Sequence, residues 1–89
     1  MEQQEIDNFL NKNLSLIQRC IPSFDASHGT SEEKLMRLQE IIWQISNQDP
    51  LMKKLGKENF FSLGTKQKLH IIESLLNLME LLEQSKGDR

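Results

Sequence analysis

The stretch from Leu69 to Leu82, LHIIESLLNLMELL, places Leu, Ile or Met at nine of its fourteen positions. At about 100° per residue these nine cover roughly 240° of a helical wheel. Only one strip stays polar: His70, Glu73, Ser74, Asn77 and Glu80. A strand would alternate with period two, and this run does not. A helix that apolar needs neighbours on more than one side, so residues 65–84 are expected to form the central helix of a small bundle, with Leu76 at its heart.

The rest of the chain supplies the neighbours. It has no Val or Tyr and only two Thr, Thr30 and Thr65, which leaves little strand-forming material. Ile6, Phe9, Leu10, Leu14, Leu16, Ile17 and Cys20 recur at three and four, predicting a helix over residues 2–20 that ends before Pro22. Residues 21–30, IPSFDASHGT, read as a loop whose Ile21 and Phe24 tuck back onto the core. Thr30 and Glu33 have capping-box spacing and open a helix over 31–47, with Leu35, Leu38, Ile41, Ile42 and Ile45 as its core stripe. Asp49-Pro50 is a second start signal, giving a short helix over 50–55 that Gly56 ends. Residues 56–64 read as a loop anchored by Phe60, Phe61 and Leu63, and Thr65 as the cap of the last helix. The expected fold is therefore all-α: three main helices and one short helix, mostly antiparallel neighbours, in one domain over 1–85 with a frayed tail at 86–89.

Bulk properties narrow the function. The 89 residues carry a formal charge of −2, so nothing draws the whole chain to nucleic acid or anionic membrane. A lone cysteine, Cys20, fits a reducing compartment. The acidic start MEQQEIDN is unlike a signal peptide, and no apolar run approaches the ~18 residues of a membrane span. The expected location is the cytoplasm, or the nucleus of a eukaryote.

Chemistry is hard to find. Cys20 sits on the apolar face of its helix, the usual place of an inert thiol. His28 and His70 lack a triad-like carboxylate pattern, and His70 and Glu73 are one turn apart, as in ordinary surface pairing. Two histidines and one cysteine show no metal-ligand spacing, and Gly56 to Lys66 fails the P-loop spacing. No enzyme activity, cofactor or metal is expected.

Interaction surfaces are easier to nominate. Met36 and Trp43, seven residues apart, share a face about 150° from the core stripe, with Gln39 and Glu40 near it. Trp and Met are enriched in interfaces, so Met36, Gln39 and Trp43 are the candidate partner-binding residues. A second candidate is the basic segment: Lys53, Lys54, Lys57, Lys66 and Lys68 stand against Glu58 alone, while residues 1–33 hold six acids against Lys12 and Arg19. Lys66 and Lys68 fall in the first turn of the last helix, where positive charge is unfavourable, so an acidic protein or nucleic acid is a candidate ligand. Asn13 falls at heptad position a between Ile6 and Cys20, a register device if helix one self-pairs and otherwise an edge residue bonded to backbone. Leu78-Met79-Glu80-Leu81-Leu82 resembles the LxxLL box by which coactivators dock on nuclear receptors, although a central helix would hold these leucines in the core. The expected function is a non-enzymatic protein–protein interaction module (adaptor, inhibitor or regulatory subunit), with a homo-oligomer fitting the same surfaces. A nucleic-acid-binding accessory protein using residues 53–68 is the alternative.

Overall fold

A computed structural model describes residues 2–87 of the chain, with side chains from 3 to 85. It contains α1 (Glu2–Cys20), α2 (Ser31–Ser46), α3 (Pro50–Leu55), α4 (Lys57–Ser62) and α5 (Thr65–Gly87), and no strand among the described residues. The boundaries follow from local chemistry. At α2 the Glu33 N–H donates to Thr30 Oγ1 at 3.2 Å and the Thr30 N–H donates to Glu33 Oε1 at 2.8 Å, a complete capping box. At α3 the Leu51 N–H donates to Asp49 Oδ1 at 2.9 Å, and Pro50 occupies the first turn where its missing N–H costs nothing.

Three expectations need correction. Residues 56–64 are not a loop, because Lys57–Ser62 is a helix. Gly56 adopts φ +86°, so its N–H can close α3 onto the Met52 carbonyl at 2.9 Å. Its carbonyl then accepts from the Phe60 N–H at 3.0 Å, and a new helix starts without an intervening loop. The last helix has Gly64 in the capping position, its carbonyl accepting from the Lys68 N–H at 2.9 Å, and Thr65 is already helical. That helix continues to Gly87, past its expected end at 84, while Asp88 and Arg89 lie outside the described residues.

Packing brings a further correction. Asn13 meets Glu73 and Arg19 meets Glu80, so α1 and α5 run parallel, not antiparallel. The ten residues between α1 and α2 return alongside α1, with Phe24 and Ala26 beside Leu10 and Leu14. Ser31, at the start of α2, accordingly bonds Asp7 near the start of α1. Ile6, Phe9, Leu10, Leu16 and Ile17 of α1, Ile21 and Phe24 of the return segment, Leu35, Leu38 and Ile42 of α2, Met52, Phe60, and Leu69, Ile72, Leu75 and Leu76 of α5 make one core. Ile45, expected in the α2 stripe, is instead 53% exposed.

The protein measures 43 × 30 × 18 Å between its outermost Cα atoms. Three helix layers at the usual interaxial spacing would need about 23 Å, so the short axis holds two. Two layers cannot surround a helix, and α5 is buried only up to Leu76.

Candidate functional site

The residues nominated on α2 have different fates. Gln39 is 1% exposed, with Nε2 directed to the Phe60 carbonyl at 3.5 Å. Trp43 is half-buried, its ring stacked on Phe60 at 6.2 Å between centroids and 27° between planes. Phe61 meets Phe60 edge-on at 5.4 Å. The helix α4, read from sequence as loop, therefore covers the side of α2 that carries Gln39 and Trp43. Met36 alone of the three stands well out in solvent, at 54% exposure. It borders a cleft of about 220 Å³ with Ile6, Glu32, Gln39, Thr65 and Lys68, so Met36 and one of the nominated lysines share a cleft.

The lysines are divided among surfaces. Lys57 lies 6.0 Å above the Phe61 ring and borders a cleft with Glu40, Trp43 and Gln44. Lys68 belongs to the Met36 cleft beside Glu32. Lys53, Lys54 and Lys66 are exposed on α3 and on the first turn of α5.

Polar groups along the α1–α5 seam are structural in form. Asn13 is buried, and Nδ2 donates to the Phe9 carbonyl at 3.0 Å and to Glu73 Oε2 at 3.2 Å. The amide at heptad position a thus joins α1 to α5 of the same chain. Glu73 turns to Asn13 and to Lys12, 4.0 Å away, where the sequence suggested His70 as its partner. Arg19 Nε donates to Glu80 Oε2 at 2.8 Å. Cys20 is half-buried, with Sγ 3.6 Å from the Leu76 carbonyl, in an open cleft of about 440 Å³ lined by Arg19, Glu80, Glu83 and Gln84. Loss of water around the thiolate, and next the Glu80 carboxylate, push the Cys20 pKa above its ordinary value of 9.0.

The loop Asp25–His28 gathers a carboxylate, a hydroxyl and an imidazole. Ser27 donates to Asp25 Oδ1 through Oγ at 2.7 Å and through its N–H at 2.9 Å, and His28 Nδ1 lies 2.6 Å from Asp25 Oδ2. These hydrogen bonds, Ser27's first, hold the Asp25 carboxyl well below the usual carboxylate range. The geometry is not a relay: Ser27 Oγ approaches the same imidazole nitrogen that Asp25 does, at 3.2 Å. In a nucleophile–base–acid series the two partners occupy opposite nitrogens. Arg37 Nη2 donates to the Asp25 and His28 carbonyls at 3.1 and 2.5 Å, tying the loop to α2. Among the described residues no group of three His, Cys, Asp or Glu could hold a metal ion, and no helix is long and apolar enough to cross a membrane.

The most unusual surface was misassigned to the core from sequence. Leu78, Leu81 and Leu82 are 45%, 62% and 57% exposed, beyond the last buried residue of α5, Leu76. At 100° per residue they share about 100° of the helix with Ile71, Ser74 and Ser85. Glu73, Glu80 and Glu83 all lie about 140° or more from Leu78. A sequence signal for this face existed: the three acids of Leu69–Ser85 fall on one side, and an 89-residue chain has few helices to cover the other.

Comparison of the chain with known protein families, with curated proteins and with solved structures finds no significant match.

Proposed function

We propose that this protein is a non-enzymatic protein–protein interaction module that engages its partner through the outer face of α5. The observation that carries this reading is the exposure of Leu78, Leu81 and Leu82 side by side on an uncharged helix face. Fully burying a leucine is worth about 1.5–3 kcal/mol. Scaled by their exposed fractions, the three leave roughly 2–5 kcal/mol to be gained by a covering surface. Leucines at i, i+3 and i+4 are also the anchor spacing by which a helix enters an apolar groove. Met36, beside Lys68, gives a smaller second contact on the same molecule.

The test is affinity capture from an extract of the source cells, with the wild-type protein and the triple variant Leu78→Ser, Leu81→Ser, Leu82→Ser as baits. The three positions lie outside the core, so the variant should keep the wild-type circular dichroism spectrum. Proteins retained by the wild type and lost by the variant are the expected result. An identical set retained by both would reject α5 as the interacting face.

A further inference from the structure

We propose that the partner of the exposed α5 face is a second copy of this chain, packed α5 to α5 across a two-fold axis. The inference rests on the interaction reading above and adds the identity of the occupant.

Charge favours a second copy. The chain is 27% Asp, Glu, Lys and Arg, yet the outward side of α5 between Leu69 and Ser85 presents none of these. Ile71, Ser74, Leu78, Leu81, Leu82 and Ser85 form its centre, and His70, Asn77 and Gln84 form one border. The three acids of the stretch lie on the other side of the helix: Glu73 bonds Asn13 and approaches Lys12, Glu80 bonds Arg19, and Glu83, exposed, borders the cleft beside Arg19 and Cys20. A surface that selects a foreign partner usually carries a complementary charge pattern at its rim. A surface that meets its own copy brings every charge up to an identical set, and like charges across an interface are costly. An uncharged, apolar strip escapes that repulsion and is complementary to itself.

Position agrees. Arg19, one residue from the end of α1, pairs with Glu80, so the parallel helix α5 runs on past the end of α1 to Gly87. Leu81 and Leu82 lie on this projecting part.

Area bounds the strength. A helix strip from Leu69 to Ser85 is about 25 Å long and about 10 Å wide. That is about 500 Å² over both partners, well below the roughly 1,200 Å² under which interfaces are weak and transient, so the pair should exchange with monomer and fill only toward millimolar concentration.

The experiment is sedimentation equilibrium of the purified full chain from about 1 µM to about 1 mM. The wild-type mass should rise from that of the 10.4 kDa monomer toward twice that value. Two double variants place charge on the strip and at its border without removing a leucine: Ser74→Glu with Asn77→Glu, and Ser74→Lys with Asn77→Lys. Each alone should remain monomeric at low salt, and an equimolar mixture should regain the dimer mass. Leu81→Ala, at the most exposed of the three leucines, should weaken association about tenfold or more. A wild type that stays monomeric throughout would overturn self-pairing, while capture from extract would still decide the interaction reading separately. Association unaffected by these changes would place the contact elsewhere and also overturn it, as would a mixture that stays monomeric.

Discussion

Phe60→Ala tests the part of the fold that most revises the sequence reading. Phe60 is fully buried, stacked against Trp43 at 6.2 Å and met edge-on by Phe61 at 5.4 Å. It is the side chain through which α4 closes over α2. Phe-to-Ala changes in a core cost about 3–5 kcal/mol, including the cavity left behind. Loss of two aromatic pairs moves the value toward the upper part of that range, because each contributes about 0.5–1.5 kcal/mol beyond area. An 89-residue domain has roughly 4–13 kcal/mol of total stability, so about 4 kcal/mol is a large share. In urea, with a slope near 1 kcal/mol/M for a chain this small, the midpoint should fall by about 4 M. Circular dichroism follows the helices, and Trp43, the only tryptophan, reports locally by its emission. Emission of the folded variant should shift to the red and become easier to quench with acrylamide, since Phe60 no longer shields the indole. A loss under about 1 kcal/mol with unchanged emission would refute the reasoning, because residues 57–62 would then not pack on α2.

Two further outcomes follow from the local electrostatics. The Thr30 backbone N–H, and next its hydroxyl, hold Glu33 below the ordinary carboxylate value of 4.5. A depressed folded pKa stabilises above the unfolded value and is lost as pH falls through the folded one, so stability should drop below pH 4.5. Acid titrations of the wild type and Glu33→Gln should converge as that contribution disappears, and parallel curves would show that the capping box does not form. Cys20 should react slowly with a thiol reagent near neutral pH in the native state and fast after denaturation, because burial and Glu80 disfavour the thiolate. Equal rates would mean that the α1–α5 seam is open at that point.

Short-range signals were legible from the residues alone. The starts at Thr30–Glu33 and Asp49–Pro50 depend on bonds spanning two or three residues, and the structure forms them where the spacing predicts. The 19 residues of α1 were visible for the same kind of reason, through a long period of three and four. The helix α4 was not: six residues give too little periodicity, and Gly56 reads as a stop whether the chain then loops or turns into another helix. The cover over Gln39 and Trp43 on α2 escaped notice through the same omission. Gln39 and Trp43 do point away from the α2 core stripe, but the side they occupy is the one α4 covers.

The exposed leucines of α5 mark where local information ends. Composition and spacing determined that residues 65 onward form a helix apolar over most of its circumference, and that the chain is all-α. They could not say which parts of that circumference find neighbours. That depended on the parallel course of α1 beside α5, on the return of residues 21–30 along α1, and on a body 18 Å thick. Helix formation is decided by contacts three and four residues away. Burial is decided by contacts between residues sixty apart, such as Asn13 and Glu73, and these end before Leu81 and Leu82 are covered.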